Sequence, residues 1–261
     1  MPEPSPNMHR RRGIYLLPNL FTTGAMFAGF YAIVAAFVGS FAVAAIAVFV
    51  AAVLDSLDGR VARLTHTQSE FGAQYDSLSD MVSFGLAPAL VMYAWSLSTL
   101  HMDGPILGKL GWCAAFVYAA CGALRLARFN TQIGIADKRY FQGLPSPAAA
   151  GWCMAFVWSM HDLDFSGAEL RYFTPALIVI AGLLMVSRVR YASFKSWPLN
   201  DRVSFLWIIA VVLVLAGLAL KPAYVLLSLG TIYVLSGPVL TLRGLRSARR
   251  NRRKALPTDL P

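Results

Sequence analysis

Long runs of apolar residues recur along most of this chain, from Leu16 to Leu242. A helix needs about 20 such residues to cross the hydrocarbon layer of a bilayer. Within that layer, helices satisfy all of their backbone polar groups internally, which irregular segments cannot do. Only 14% of the 261 residues are charged, whereas a soluble domain carries about 25%. The sequence therefore predicts an all-α, polytopic membrane helix bundle.

The apolar runs divide into eight predicted transmembrane helices. Their predicted bounds are 16–38, 41–64, 71–97, 109–131, 146–161, 172–187, 203–219 and 223–242. The first run is too long for the apolar region of a signal peptide, so we interpret it as a span. The transmembrane bundle over 16–242 is then flanked by two cytoplasmic tails. Residues 1–15 form a basic, unstructured tail, and residues 243–261 form a polybasic tail.

The distribution of basic residues predicts the orientation of these spans. Cytoplasmic segments of membrane proteins carry an excess of Lys and Arg. With a cytoplasmic N-terminus and eight spans, only three of the 23 Lys and Arg residues fall on the outer side, namely Lys109, Arg171 and Lys221. We therefore expect both termini, and the loop between the second and third spans, to face the cytoplasm.

The chain carries a net charge of +10, and a value this high can indicate a nucleic-acid partner. Seven basic residues cluster between Arg243 and Lys254, directly after the last predicted span. No aromatic stacking platform or nucleic-acid-binding fold accompanies them. A polybasic segment beside a membrane span is typically attracted to anionic lipid. We therefore expect membrane lipid, and not nucleic acid, as the partner of this segment.

Four aspartates lie in or beside the second and third spans, where an uncompensated charge is costly. They are Asp55, Asp58, Asp76 and Asp80. An ionised carboxylate in an apolar medium needs a paired cation or a metal ion. Asp55 and Asp58 are one helical turn apart, as are Asp76 and Asp80. A tight turn over 64–71 would bring the two pairs together, and hard oxygen ligands of this kind suit Mg²⁺ or Mn²⁺.

Small residues and one arginine flank these carboxylates. Gly59 and Ala62 lie on the acidic face of the second span, and Gly72 lies one turn before Asp76. They leave space for a bulky phosphate ligand near the backbone, and Arg63 at the edge of the face can bind a phosphate oxygen. Four carboxylates on two helices could hold two ions, an arrangement that suits attack on phosphorus.

The pattern Asp-x2-Asp-Gly-x2-Ala-Arg-x8-Gly-x3-Asp-x3-Asp resembles the signature of the CDP-alcohol phosphotransferases, and every fixed position is matched. These integral membrane enzymes move a substituted phosphate from a CDP-linked lipid or alcohol to a hydroxyl and release CMP. The resemblance implies that Asp55, Asp58, Asp76 and Asp80 bind metal, and that Asp80 is also the catalytic general base. It further implies that Arg63 holds a nucleotide phosphate and that the protein forms a homodimer.

The first span begins with three residues that lie at the depth of the acidic site. Pro18 fits the N-terminus of a helix, and Asn19 and Thr22 are polar residues one turn apart. They could cap the helix or bond to a neighbouring one. Members of the family often carry Pro-Asn-x2-Thr at this place. The resemblance therefore implies a CDP-lipid pocket lined by Pro18, Asn19, Thr22, Gly59, Ala62, Arg63 and Gly72.

Two arginines, Arg125 and Arg128, end the fourth span at its cytoplasmic rim. They could extend to lipid headgroups, or face inward and bind an anion. The surrounding Leu-Arg-x-Ala-Arg-Phe-Asn and the later Phe-x-Gly-Leu-Pro-x-Pro-Ala resemble the CDP-diacylglycerol–serine O-phosphatidyltransferase branch of the family. The same holds for Met185-Val186-Ser187, Tyr191 and Ser193-Phe194-Lys195. With these elements the resemblance covers roughly residues 15–200.

The resemblance to this branch implies CDP-diacylglycerol as donor, L-serine as acceptor, and phosphatidylserine and CMP as products. Asp80 would take the proton of the serine hydroxyl, and Arg125 or Arg128 would bind the serine carboxylate or a phosphate. It also implies a location in a bacterial inner membrane, with the active site facing the cytoplasm.

Three alternatives remain open at this point. The acidic site handles the donor, so glycerol 3-phosphate, inositol phosphate or choline could replace serine as acceptor. An intramembrane prenyltransferase also uses aspartate pairs and Mg²⁺, but it lacks the spacing of Gly59, Arg63 and Gly72. An ion carrier would place its acids near the middle of the membrane.

His66, in the turn between the acidic helices, could touch the substrate or simply be solvated.

Overall fold

The computed structural model describes residues 7–65, 67, 69–131, 140–192 and 205–255. The predictions for His66, for Ser193-Phe194-Lys195 and for the outer parts of both tails concern residues outside these ranges. The described chain is helical apart from its loops and one short pair of strands.

The helices follow one another along the chain with short connections. They are α1 Asn7–Phe37, α2 Phe41–Leu64, α3 Glu70–Asp80, a π-helix Met81–Leu86, α4 Ala87–Trp95, a 3₁₀ segment Leu97–Asp103, α5 Pro105–Thr131, α6 Ser146–Asp162, α7 Thr174–Val186, α8 Phe205–Leu220 and α9 Pro222–Ala255. The two strands are β1 Tyr140–Gln142 and β2 Arg190–Ala192. The predicted third span, 71–97, therefore consists of α3, the π-helix and α4, and it ends at the first residue of the 3₁₀ segment.

Five helical stretches within the described ranges are long and apolar enough to cross a membrane. They are Leu17–Phe37, Phe41–Leu64, Glu70–Asp103, Pro105–Thr131 and Pro222–Arg243. This confirms the prediction of an all-helical integral membrane protein. The helices α6, α7 and α8 coincide with the other three predicted spans but have only 17, 13 and 16 residues. The number of eight spans and the location of the termini stay predictions.

The prediction that Pro18 opens the first helix is wrong, because α1 begins at Asn7 and Pro18 lies inside it. The described part of the N-terminal tail is therefore helical, whereas we expected it to be unstructured. A proline within a helix removes one backbone hydrogen bond and costs roughly 3 kcal/mol.

Alanines dominate the buried faces of α1 and α2, which pack against each other. Ala32 on α1 and Ala44, Ala45 and Ala51 on α2 are all fully buried. Lipid tails are as apolar as leucine, so membrane helices associate through close van der Waals packing of small residues. This close contact fixes the position of Asp55 and Asp58, in the later half of α2, relative to α1.

The π-helix that follows Asp80 is clamped on two sides. On one side, the Ser83 hydroxyl donates to the carbonyl oxygen of Ala25 in α1 at 3.0 Å. On the other side, the buried Tyr118 hydroxyl of α5 donates to the Phe84 carbonyl oxygen at 3.0 Å. A π-turn spaces its carbonyls differently from an α-turn, and Tyr118 satisfies one of them. The clamp holds the end of α3, and with it Asp80, in the bundle.

The strands β1 and β2 form a two-stranded antiparallel pair beside the end of α7, in which Gln142 lies opposite Arg190. Tyr191 of β2 is fully buried, and its hydroxyl donates to the Val234 carbonyl oxygen of α9 at 3.2 Å. Burial raises the pKa of Tyr191 to about 12, so the phenol stays neutral. The pair thus fastens the segment after α5 to α7 and α9.

Gly143 makes the turn from β1 towards α6. Its φ of 80° is in the left-handed region, and a Cβ at this position would collide with the Met185 carbonyl oxygen. The backbone amide of Gly143 donates to the Val189 carbonyl oxygen at 2.8 Å, and that of Leu144 donates to the Leu184 carbonyl oxygen at 2.9 Å. Only glycine can therefore hold this turn against the end of α7.

Replacing Gly143 by Ala should destabilise the protein, since the methyl group adds a backbone collision to the cost of a positive φ. We expect a loss of about 2–4 kcal/mol, seen as a lower midpoint of thermal unfolding in detergent. Gly39→Ala is the matched control, because Gly39 has a φ of 78° and nothing within 4 Å of its Cβ position. Equal effects of the two substitutions would show that the contact with α7 contributes nothing.

Candidate active site

Three of the four aspartates predicted to form the acidic site converge where α2 and α3 meet. A carboxylate oxygen from each of Asp55, Asp76 and Asp80 lies within 4.8 Å of the other two. Asp55 comes from the later half of α2, and the other two come from successive turns of α3. The sequence spacing places Asp76 and Asp80 on one face, and the short α2–α3 connection folds that face onto Asp55.

The donor set of this cluster fits a small divalent cation. The three carboxylates are partly buried, and like charges this close repel one another unless a cation lies between them. The Oδ1 atom of Asp76 is buried and has no hydrogen-bond partner among the described residues. Buried polar atoms are nearly always satisfied. Oxygen-only ligands of this kind favour Mg²⁺ or Mn²⁺.

Asp58, the fourth aspartate, is not part of this three-carboxylate cluster. Its side chain is buried, with 5% relative exposure, and its Oδ2 accepts a hydrogen bond of 2.7 Å from the Thr22 hydroxyl of α1. The same hydroxyl lies 3.1 Å from the Pro18 carbonyl oxygen. Thr22, which the family resemblance assigns to the CDP-lipid pocket, therefore orients Asp58 directly.

Substitution of Thr22 by Val should lower the turnover rate about tenfold, because it removes the hydrogen bond that orients Asp58 and leaves a buried carboxylate oxygen unpaired. Thr22→Ser keeps the hydroxyl and should retain most of the activity. Rates of CMP release by the two variants, at saturating substrate, test this role. Equal losses in both would instead indicate a packing role for the Thr22 methyl group.

The small residues predicted around the site are placed on two sides of it. A Cβ on Gly59 would lie 3.5 Å from Nη1 of Arg63, so the guanidinium covers this glycine. A Cβ on Gly72 would lie 3.6 Å from Oδ1 of Asn19, so α1 and α3 approach closely there. Ala62 lies on α2 one residue before Arg63, which is exposed. Gly59 and Gly72 therefore each lie beside a polar side chain, that of Arg63 and that of Asn19 respectively.

Comparison with known proteins identifies the family. The family model of the CDP-alcohol phosphatidyltransferases matches residues 15–189. The chain belongs to this family. The match confirms the resemblance of the motif from Asp55 to Asp80, and it removes the prenyltransferase and ion-carrier alternatives.

Several relatives of this CDP-alcohol phosphatidyltransferase carry the name CDP-diacylglycerol–serine O-phosphatidyltransferase. The Helicobacter pylori (strain 26695) protein is 38% identical over 201 residues, covering 77% of this chain and 82% of the relative. The Methanocaldococcus jannaschii protein is 36% identical over 197 residues, covering 76% and 83%. The Mycobacterium tuberculosis (strain H37Rv) protein is 42% identical over 219 residues, covering 80% and 73%.

In this family member, Arg125 and Arg128 face protein carbonyl groups. Nη1 of Arg125 donates to the carbonyl oxygens of Gln142 and Met185, each at 3.4 Å. Nη1 of Arg128 donates to the Val186 carbonyl oxygen at 3.5 Å, and its Nη2 donates to the side-chain oxygen of Gln142. Both side chains are therefore held at the junction of α5, β1 and α7, and they do not simply extend towards lipid headgroups.

Sequence reasoning missed several residues of this phosphatidyltransferase that hold α3 in place. The Ser79 hydroxyl donates to the Thr22 carbonyl oxygen at 3.1 Å, and the hydroxyls of Thr23 and Tyr75 lie 2.8 Å apart. A usable signal existed, because Tyr75 and Ser79 are each next to one of the aspartates on the same helix. The contact of Gln142 with Arg128 had no such signal, since the two residues are far apart in sequence.

Proposed function

We propose that this enzyme transfers the phosphatidyl group of CDP-diacylglycerol to the hydroxyl of L-serine, giving phosphatidylserine and CMP. The observation that carries the proposal is the convergence of Asp55, Asp76 and Asp80, at the spacing of the family motif, on partly buried membrane helices. The names of the relatives support serine as the acceptor. The downstream motifs around Arg125 and Gln142 point to the same acceptor.

Asp55, Asp76 and Asp80 would hold one divalent cation, Mg²⁺ or Mn²⁺. Asp58 would then be available to help bind a second cation. Such a cation neutralises charge on a diphosphate and on the departing CMP. The orphaned Oδ1 of Asp76 and the oxygen-only donor set support this proposal. Thr22 would keep Asp58 in a fixed orientation beside the cluster.

Asp80 would act as general base for the acceptor. As the serine oxygen forms its bond to the lipid-side phosphorus, the bond from that phosphorus to the CMP oxygen breaks, and the serine proton passes to Asp80. The position of Asp80 at the junction of α3 and the clamped π-helix supports this role, because the clamp restricts its movement. A fixed base avoids reorientation during the reaction.

The remaining polar groups would bind the two substrates. Arg63, with Gly59 and Ala62 beside it, would hold a nucleotide phosphate, while Asn19 and Gly72 would border the CDP-lipid from the other side. Arg125 and Arg128 would bind the serine carboxylate, since guanidinium groups match carboxylates in geometry and charge. The buried Pro18 would complete the pocket wall.

The topology is proposed on the distribution of charge. Eight spans within 16–242 would place both the 1–15 and the 243–261 tails in the cytoplasm, with the acidic cluster at the same surface. This orientation is supported by the basic residues, because nearly all of them fall on the cytoplasmic side of the predicted spans. We further propose a location in a bacterial inner membrane and assembly as a homodimer, both on the basis of the family resemblance.

Acceptor-dependent release of CMP tests the proposed function. Purified full-length protein in detergent receives CDP-diacylglycerol and Mn²⁺ or Mg²⁺, with serine, glycerol 3-phosphate, inositol 1-phosphate or choline offered separately. Release with serine alone, abolished by EDTA, is the expected result. Release with another acceptor would overturn the choice of serine, and no release from folded, metal-loaded protein with any acceptor would overturn the proposed activity.

A further inference from the structure

We propose that Gln142 determines the specificity for an acceptor that carries a carboxylate, by orienting Arg128 while leaving its positive charge intact. This inference rests on the proposed function, in which Arg125 and Arg128 bind the carboxylate of serine. Gln142 is a positioning residue in this proposal, because it acts through Arg128.

The position of Gln142 is fixed by the fold on both sides. As the last residue of β1 it pairs with Arg190 of β2. The next residue, Gly143, lies against the end of α7, where a side chain cannot fit. The backbone amides of Gly143 and Leu144 are both bonded to carbonyl oxygens in or just after α7. Gln142 is therefore held next to the guanidinium groups of α5.

Gln142 contacts both arginines, each through a different oxygen. Its side-chain oxygen accepts from Nη2 of Arg128, and its backbone carbonyl oxygen accepts from Nη1 of Arg125 at 3.4 Å. The end of α7 supplies the other acceptors, namely the carbonyl oxygens of Met185 and Val186. These contacts define the direction of both guanidinium planes.

Every acceptor in this set is neutral, so the two positive charges are not cancelled locally. Within the ranges that the structure describes, no carboxylate lies within 4.0 Å of Arg125 or Arg128. A guanidinium has five N–H donors, and the bonds of Arg128 to other described residues use two of them. The remaining donors and the unbalanced charge form a receptor for an anion.

An amide is the side chain that this arrangement requires. Glutamine accepts a hydrogen bond from Arg128 without adding charge, whereas glutamate would form an ion pair with it and compete with the acceptor's carboxylate. Comparison of Gln with Glu at position 142 thus separates the orientation of Arg128 from the neutralisation of its charge. This makes the proposal testable by a nearly isosteric substitution.

The experiment compares the wild type with Gln142→Glu in steady-state assays of CMP release, varying serine and CDP-diacylglycerol in turn. We expect the KM for serine to rise by about tenfold to a hundredfold, while the KM for CDP-diacylglycerol changes by less than about twofold. The inhibition constant of L-alanine, which has the carboxylate but no hydroxyl, should rise in parallel. A defect in folding alone would not raise the KM for serine while leaving the KM for CDP-diacylglycerol unchanged.

Two further variants keep the outcome decisive. Gln142→Asn stays neutral but shortens the side chain, and it should raise the KM for serine several-fold with the donor unaffected. Gln74→Glu adds the same charge on the exposed face of α3 and should leave the KM for serine unchanged. If the wild type is active and the Gln142 variants leave the KM for serine unchanged, this inference is overturned. Equal changes in the KM values of both substrates would overturn it as well. A wild type inactive with serine would instead overturn the proposed function.

Discussion

Asp80→Asn should lower the rate of CMP release by about a thousandfold or more, while binding of the CDP-lipid remains measurable. The substitution keeps the shape of the side chain but removes its ability to take the serine proton. Asp55 and Asp76 still provide carboxylates for the cation and its bound diphosphate. The test is kcat at saturating substrates, together with equilibrium binding of CDP-diacylglycerol in the presence of Mn²⁺.

Asp162→Asn is the matched control for Asp80→Asn. Asp162 ends α6 in an exposed loop and bonds to nothing in the acidic cluster, so its neutralisation should leave both the rate and the binding unchanged. A near-normal kcat for Asp80→Asn would contradict the assignment of the base. Loss of donor binding to the same extent as loss of rate would show that Asp80 serves mainly as a ligand of the cation.

The helices and the core of the acidic site could be predicted because they depend on short-range patterns. The second span was expected at 41–64 and α2 covers the same residues, since one apolar run determines its length. Asp76 and Asp80 share a face through the helical period alone. Their meeting with Asp55 followed from a connection too short to allow another arrangement.

The remaining features depend on contacts between distant segments, which local patterns do not encode. The π-helix at Met81–Leu86 lies in a continuous apolar run, where a change of helical period leaves no trace in the sequence. The bond of Thr22 to Asp58 requires the packing of α1 on α2. The β1–β2 pair is only three residues long on each side, too short for alternation to predict a strand.

Pro18 shows how a local rule can mislead in a membrane protein. Proline is common at the first turn of a helix, and the basic residues before it are typical of a solvated tail. Both observations predicted a helix start near residue 18, yet α1 extends eleven residues further towards the N-terminus, to Asn7. The helix therefore crosses Pro18 into the basic segment before it, which neither local rule predicts.

Asp76→Asn should abolish the response of the protein to divalent cations. The Oδ1 atom of Asp76 is buried without a partner among the described residues, so it is the ligand that gains most from a bound cation. We expect the affinity for Mn²⁺ to fall at least about a hundredfold and CMP release to fall to background, since ligand loss commonly costs this much or more. Mn²⁺ titration followed by electron paramagnetic resonance measures the affinity without requiring activity.

The thermal stability of the metal-free Asp76→Asn variant tests the same role of Asp76 independently. Wild type without metal holds three carboxylates whose oxygens lie within 4.8 Å of one another, and their repulsion destabilises the fold. Asp76→Asn removes one of these charges, so its unfolding midpoint in EDTA should be higher than that of wild type. Addition of Mn²⁺ should then raise the midpoint of the wild type but not that of the variant. A lower midpoint in EDTA, with the Mn²⁺ response retained, would mean that Asp76 stabilises the bundle and does not bind the cation.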